Sequence, residues 1–364
     1  MLRFLLIFLF DVHKGGTKMS ELMSAEDSSR LNKHRWLAIL LCIICVTGAI
    51  SVKTPVRQVI AMCVERVFIY IDEWTHTETI ESEMPQVKDL KLSVLTIKDM
   101  SNYKKVVRDK ETLDKGDLIL VNSKHLYKEM KNKDVHRKEL VNISKHKNDA
   151  YKIMDEDIFI SKVALQHFNA MMEDFEKQTG KHDIIVTSGY RTLSQQIQIL
   201  KEKAALYGKE DALDWAMLPG FSEHHTGYAM DISIYTDQGN YVRYRGQDEY
   251  RWINENSYKY GLIRRYSGEK KDITGIANEE WHYRYVGVPH SYIITAKNIC
   301  FEEYIDYIKQ YTKEKHLKIK CPQGKYEIYF VPSAGDETEV WVPRGKEYSI
   351  SGNNVDGFIV TVKR

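Results

Sequence analysis

The stretch PGFSEHHTGYAMDISIY, residues 219–235, runs from a polar turn into a strand. Two histidines, a glutamate and an aspartate fall within ten positions of it, and these are the side chains that bind metal ions. The residues after Gly227 alternate between large apolar side chains and small or polar ones, as a half-buried strand requires. Taken alone, the stretch is equally consistent with a metal site at a strand entrance and with a polar surface turn.

The strand in this stretch places its aspartate where an ion has room. Successive side chains of YAMDISI, residues 228–234, point to opposite faces of a sheet, so Asp231 shares its face with small neighbours. Gly227 permits a close backbone approach and lets the loop that carries His224 fold back over the strand. These residues are therefore one half of a candidate metal site.

A second group of ligand-type residues follows in EEWH, residues 279–282. Catalytic zinc usually takes three protein ligands of the histidine and carboxylate kind and keeps a fourth position for water. His224, Asp231 and His282 satisfy that count. Glu279 and His282 would point to opposite faces of a straight strand, so the spacing leaves open how both reach one site.

The composition and the predicted elements bound the fold and the class of protein. The chain has 364 residues and a formal net charge of +2, which argues against a dedicated nucleic-acid-binding protein. Residues 161–181 have the spacing of an amphipathic helix that ends at Gly180, and residues 183–191 have the character of a short buried strand. Short β-rich runs separated by turns follow from about residue 318 onward. We predict an α+β fold, in which a small antiparallel sheet with flanking helices holds the metal site and precedes a small all-β C-terminal module.

The N-terminal region contains an apolar run, WLAILLCIICVTGAISV, residues 36–52. Its 17 uncharged residues approach the length that spans a hydrocarbon layer of about 30 Å, and they are apolar on all faces, unlike an amphipathic core helix. We therefore predict an N-terminal transmembrane helix that acts as an uncleaved signal anchor. Cys300 and Cys321 lie in the part beyond it, and whether they form a disulfide stays open.

Three motifs together resemble a known family. SGYR (residues 188–191), SEHHTGYAMD (222–231) and EEWHYRYVG (279–287) are similar to those of the zinc D-alanyl-D-alanine carboxypeptidases of the VanY type. These enzymes belong to a superfamily that also contains D-Ala-D-Ala dipeptidases and the zinc-binding hedgehog domain. The resemblance extends over about residues 160–287 and implies a Zn²⁺ cofactor and a peptidoglycan substrate.

The resemblance also implies roles for individual side chains. Its motif positions give the zinc ligands as His224, Asp231 and His282, the general base as Glu279, the group that binds the scissile carbonyl oxygen as Arg191, and the substrate-binding residues as Ser222 and, more weakly, Gln196. His225 matches no ligand position and is interpreted as structural. Glu280 stands where the family often has proline, which adds a charge near the site.

We expect a membrane-anchored zinc metallopeptidase that removes the C-terminal D-Ala from stem peptides and contributes to vancomycin resistance. A zinc-containing module that binds cell-wall peptides without cutting them, and a related L,D-carboxypeptidase or D,D-dipeptidase, are the alternatives. Glu279 and Arg191 favour an enzyme, because a binding module needs neither. The expected organisation is a cytoplasmic tail (1–35), the transmembrane anchor (36–52), a juxtamembrane linker (53–88), an extracellular carboxypeptidase domain (89–317) and the β-rich module (318–364).

Overall fold

The computed structural model describes residues 85–128, 140–236 and 239–364. The predicted cytoplasmic tail and transmembrane anchor, and most of the juxtamembrane segment, lie outside the described residues. Among the helices that are described, none combines the length and the apolar character needed to cross a membrane.

The secondary structure alternates short strands with helices and ends in a run of longer strands. The strands are β1 (Lys91–Thr96), β2 (Tyr103–Asp109), β3 (Leu140–Asn142), β4 (Lys152–Ile153), β5 (Phe159–Ser161), β6 (Ile184–Ser188), β7 (Ala229–Tyr235), β8 (Tyr241–Arg243), β9 (Leu262–Tyr266), β10 (Glu279–Tyr285), β11 (Lys315–Cys321), β12 (Gly324–Pro332), β13 (Glu337–Pro343), β14 (Tyr348–Gly352) and β15 (Gly357–Lys363). The helices are α1 (Lys162–Thr179), α2 (Leu193–Tyr207), α3 (Arg251–Asn256), α4 (Lys271–Thr274), α5 (His290–Lys297) and α6 (Phe301–Ile308).

The sheet that carries the candidate metal ligands has the strand order β4-β6-β7-β10-β9, with β8 paired to the outer part of β7. Its pairs are antiparallel, as predicted, except that β4 runs parallel to β6. Helix α1 packs on this sheet through one apolar face and ends at Gly180, whose φ of 72° closes the helix as expected. The α+β character is thus confirmed, and the purely antiparallel sheet is corrected by one short parallel pair.

The β-rich region draws on both ends of the described chain. Five antiparallel strands follow the order β1-β11-β12-β15-β14, and β2 pairs with β13 in a separate ribbon. Strands β1 and β2 come from the segment that was predicted to belong to the carboxypeptidase domain. Strand β11 begins at Lys315, three residues before the predicted boundary at residue 318. The β-rich region is therefore larger than its C-terminal sequence suggests.

One apolar core joins the β-rich region to the helices before it. Phe301 and Ile305 of α6 lie in the same buried cluster as Leu317 and Ile328 of strands β11 and β12. The described residues all belong to one compact unit, Ser82–Arg364. Cys300 and Cys321 are both buried and free, which answers the open question of a disulfide between them.

Candidate active site

Strand pairing and one tight turn bring the three predicted ligands together. Asp231 on β7 is the register partner of His282 on β10. His224 lies on a single 3₁₀ turn, Glu223–Thr226, that ends at Gly227 with a φ of 73°. One ligand atom from each of these three side chains lies within 4.8 Å of the others, and all three residues are buried.

His224 has one ring nitrogen fixed and the other directed into the site. Its Nδ1 lies 2.7 Å from the carbonyl oxygen of Gly189, which can only accept a hydrogen bond, so Nδ1 carries the proton. Burial and the nearby charge of Arg191 lower the pKa of His224 to about 4. The ring is therefore neutral near pH 7 and presents the Nε2 lone pair, which is the form that binds a metal.

His282 lies between carboxylates on its two edges. Its Nδ1 is 2.9 Å from Asp231 Oδ1, and its Nε2 is 3.4 Å from Glu223 Oε2. Burial by itself would lower the pKa of His282, but the hydrogen bonds to these two carboxylates outweigh it and raise the pKa to about 9. Binding of a metal at Nδ1 would therefore release a proton.

The predicted base, Glu279, reaches the same site through an irregularity of its strand. The register between β10 and β9 shifts between Glu279 and Tyr283. A shift of this kind re-aims side chains, and Glu279 Oε2 lies 3.9 Å from His282 Nδ1 although the two residues are three apart. Burial raises the pKa of Glu279 to about 7, a value suited to proton transfer near neutral pH.

Arg191 directs its guanidinium group at two of the candidate ligands. Its Nη2 lies 2.8 Å from His224 Nε2 and 2.5 Å from Asp231 Oδ2. Its Nε donates to Ser188 Oγ at 2.8 Å, and its Nη1 donates to Gln196 Oε1 at 3.2 Å. The guanidinium group is thus held at the site by contacts along its whole length.

The remaining predicted residues surround this centre. Gln196 is buried, and its side-chain oxygen accepts a hydrogen bond from Arg191 while its Nε2 donates one to the carbonyl oxygen of Met217. These contacts orient the arginine. His225 is buried and bridges two backbone groups, through the Arg191 carbonyl oxygen and the Gly220 amide, which agrees with a structural role. Ser222 is buried at the start of the turn that carries His224, and its contact with substrate stays a prediction.

The extra glutamate of the EEWH motif faces away from the metal ligands. Glu280 is half-buried, and its Oε1 lies 3.8 Å from Arg264 Nη1. Arg264 on the neighbouring strand β9 therefore offsets the charge of Glu280. Glu279 is the glutamate that lies beside His282.

The donor set fits a zinc ion. Two imidazoles and one carboxylate converge within 4.8 Å, which is the ligand type and number of catalytic zinc sites. The contact of the Arg191 guanidinium group with two of the donor atoms shows that this position attracts a positive charge. His224, Asp231 and His282 would hold the metal.

One buried residue of the site was not singled out by its sequence. Glu223 stands beside the ligand His224 in the chain and looks like part of a polar turn, yet it is completely buried and faces His282. The signal that could have identified it is the pair of arginines, Arg265 and Arg284, which occupy strand positions that a core normally fills with apolar side chains.

Comparisons with known proteins identify relatives of the segment that contains this site. Residues 157–288 match the family described as VanY: D-alanyl-D-alanine carboxypeptidase. A D-alanyl-D-alanine carboxypeptidase of Enterococcus faecium is 38% identical over 254 residues, which are 69% of this chain and 77% of that protein. The bifunctional D-Ala-D-Ala dipeptidase and D-Ala-D-Ala carboxypeptidase VanXYC of Enterococcus gallinarum is 33% identical over 168 residues, which are 44% of this chain and 84% of that protein. Among solved structures, the vancomycin resistance D,D-dipeptidase VanXYg in complex with a D-Ala-D-Ala phosphinate analog has a TM-score of 0.63 and 30% identity, and the match covers 72% of this chain and 99% of that chain.

Proposed function

The chain belongs to the VanY family of D-alanyl-D-alanine carboxypeptidases, and from this premise we propose that it removes the terminal D-Ala from peptidoglycan stem peptides that end in D-Ala-D-Ala. One observation carries the proposal. The three candidate ligands, the base Glu279 and the cation Arg191 come from separate segments of the chain and meet in one buried site.

The side chains of the site divide the reaction between them. A zinc ion held by the three ligands would polarise the attacking water and the peptide carbonyl group. Glu279 accepts the proton of the water at its carboxylate and transfers it to the amine of the departing D-Ala. Arg191 is permanently protonated and stabilises the negative charge that develops on the carbonyl oxygen. Gln196 and Ser188 hold the arginine in place through its Nη1 and Nε.

A dipeptidase activity is the second candidate function. It is favoured by the similarity to VanXYC, which is described as both a dipeptidase and a carboxypeptidase, and by the fold similarity to the D,D-dipeptidase VanXYg. A module that only binds cell-wall peptides is disfavoured, because Glu279 Oε2 lies 3.9 Å from the Nδ1 of the candidate ligand His282 and burial raises the pKa of Glu279 to about 7.

The rate of D-Ala release from two substrates tests the proposal. We expect the zinc-loaded protein to release free D-Ala from a pentapeptide that ends in D-Ala-D-Ala faster than from the free dipeptide. Faster cleavage of the dipeptide would assign the protein to the dipeptidases. Release from neither substrate, by protein that contains zinc, would leave the peptide-binding module as the better assignment.

We further propose that residues 36–52 anchor the chain in the membrane and that the active site works outside the cell. Removal of the terminal D-Ala there would destroy the D-Ala-D-Ala end that vancomycin recognises, and would in that way contribute to resistance.

A further inference from the structure

We propose that Glu223 is a positioning residue for His282, and that it sets the ring orientation in which His282 binds the metal. The inference depends on the zinc site of the proposed function. Only one of the two edges of the His282 ring faces the other ligands. Nδ1 lies 2.9 Å from Asp231 Oδ1, whereas Nε2 lies 3.4 Å from Glu223 Oε2 on the opposite side.

A carboxylate on the outer nitrogen is the usual partner of a metal-binding histidine. It fixes the tautomer and the ring plane, and it makes the inner nitrogen a stronger ligand. His224 obtains the same support from the carbonyl oxygen of Gly189, at 2.7 Å from Nδ1. Within the described residues, Glu223 is the side chain that faces the Nε2 edge of His282.

Glu223 divides its two oxygens between two tasks. Oε1 accepts hydrogen bonds from Arg265 Nε at 2.8 Å and from Arg284 Nη1 at 3.0 Å, which leaves Oε2 for the histidine. The side chains of the glutamate and both arginines have no solvent exposure. A carboxylate held by two buried cations cannot rotate away from the ring without losing both ion pairs.

The two arginines are in turn fixed to different parts of the fold. Arg284 donates through Nε to the carbonyl oxygen of Tyr285 and through Nη2 to those of Asp117 and Ile119, at 2.9, 2.9 and 3.0 Å. Arg265 makes a bidentate pair with Glu302 at the start of α6, at 2.6 and 2.9 Å. Arg284 is therefore fixed to the backbone independently of Glu302, and it holds Glu223 Oε1 in place even when the pair between Arg265 and Glu302 changes.

A purely structural role for Glu223 makes a different prediction. Buried ion pairs contribute little net stability compared with apolar residues of the same size, but the loss of one member leaves a buried charge uncompensated and destabilises the fold. If the role is purely structural, removal of any member of the network should lower the free energy of unfolding by a similar amount. Zinc affinity should then fall only as far as the fold is destabilised. On our view, zinc affinity depends on the one member that contacts His282.

The test compares Glu223→Gln with Glu302→Gln, a matched neutral substitution in the same network. The substitution Glu223→Gln keeps one oxygen for the arginines but replaces Oε2 by an NH₂ group, which cannot accept a hydrogen bond from His282 Nε2. We expect Glu223→Gln to weaken zinc binding by about 10- to 100-fold. Glu302→Gln should stay within about 3-fold of the wild type. Zinc affinity is measured by competition with a chromophoric chelator, and folding by circular dichroism and thermal unfolding.

Glu223→Asp covers the case in which Glu223→Gln does not fold. Aspartate keeps the charge between the arginines but withdraws the carboxylate from the ring by one methylene group. Weakened zinc binding by a protein that unfolds near the wild-type temperature supports the inference. Unchanged zinc affinity in a folded variant of residue 223, or an equal loss in Glu302→Gln, would overturn it.

The experiment separates this inference from the proposed function because it requires no substrate. Wild-type protein that binds zinc, and loses affinity in the residue 223 variants, supports the positioning role even if it releases no D-Ala. Wild-type protein that binds no zinc would overturn both.

Discussion

At the scale of single residues, the site separates a metal-binding function from a proton-transfer function. The metal ligands meet in one cluster, and Glu279 lies beside it with one oxygen 3.9 Å from His282 Nδ1. The substitution Glu279→Gln keeps the shape of the side chain but removes its ability to accept a proton at neutral pH. We expect zinc content near that of the wild type and a loss of about 10²- to 10⁴-fold in kcat.

Two controls accompany the Glu279→Gln measurement. His282→Ala should lose both zinc and activity, because it removes a ligand. Glu280→Gln should keep kcat within about 3-fold, because Glu280 faces Arg264 and not the ligands. A Glu279→Gln protein with near wild-type kcat would show that another group is the base, and one without zinc would show that Glu279 is a ligand.

Much of the site could be predicted from the sequence because its ligands stand in local motifs. His224 and Asp231 are seven residues apart in one stretch, and their strand and turn fix their relative position. The shared orientation of Glu279 and His282 could not be predicted, because it depends on a register shift between β10 and β9. Glu223 was not singled out because its partners, Arg265 and Arg284, lie on strands that are distant in the sequence, and no spacing shows that they meet it.

At the scale of elements, the turn before β7 decides whether His224 reaches the metal site. Gly227 ends this turn with a φ of 73°, and a Cβ atom there would lie 2.4 Å from Leu140 Cδ2 and 3.4 Å from the Ser161 amide nitrogen. The substitution Gly227→Ala therefore adds a steric clash to the backbone strain of about 1–2 kcal/mol that a left-handed conformation costs. We expect a lower Tm together with weaker zinc binding, because relief of the clash moves the turn.

Gly180→Ala is the matched control for the turn. Gly180 has nearly the same φ, 72°, but a Cβ atom there would meet nothing within 4 Å, and it ends α1 away from the ligands. It should lower the free energy of unfolding by about 1 kcal/mol and leave zinc affinity unchanged. Equal zinc affinities in the two variants would show that the turn does not set the position of His224.

In the β-rich region, a buried glutamate between a histidine and an arginine predicts a dependence of stability on pH. Glu327 Oε2 lies 3.0 Å from His316 Nδ1 and 2.7 Å from Arg364 Nη2. Burial would raise the pKa of Glu327, but these hydrogen bonds outweigh it and lower the pKa below its usual value. A lowered pKa contributes stability that is present above the unfolded value of about 4.3 and lost as pH falls through the folded value.

Thermal unfolding between pH 7 and pH 3 checks the role of Glu327. We expect Glu327→Gln to cost about 1–2 kcal/mol at pH 7 and to show a smaller decrease in Tm on acidification than the wild type. Glu347→Gln, in an exposed pair 3.5 Å from Lys363, should leave the pH profile unchanged. An unaltered profile in Glu327→Gln would remove this glutamate as a source of acid sensitivity.

The sequence did not predict that the β-rich region includes strands from the start of the described chain. Its C-terminal strands alternate in sequence and were expected, but β1 and β2 join them from more than two hundred residues away along the chain. Strand β1 lies at the edge of the described sheet, and five of its six residues are exposed. A strand without a buried face carries no periodic apolar signal, so only the fold reveals its partner.

At the scale of the whole molecule, the catalytic sheet and the β-rich region are parts of one body. The apolar cluster that contains α6 also contains residues of β11 and β12, and the network around Glu223 reaches α6 through Glu302. The sequence suggested a separable C-terminal module because turns and short strands change its character near residue 318. The shared core was not visible, because its contacts join segments that are distant in sequence.

The predicted transmembrane anchor, residues 36–52, determines the cell fraction in which the protein is recovered. A chain whose residues 36–52 span a membrane should sediment with the membrane fraction, resist extraction by carbonate and dissolve in detergent. Deletion of residues 1–81 removes the apolar run but keeps the compact unit that begins at Ser82. The shortened protein should therefore be recovered in the soluble fraction with its zinc affinity unchanged.

As a control, Ile43→Lys together with Ile44→Lys in the full chain should reduce membrane association, since each lysine costs about 2.5–3.5 kcal/mol at the centre of a span. Carbonate extraction of the unaltered chain would rule out the anchor, because a peripheral protein is released under those conditions and a spanning helix is not.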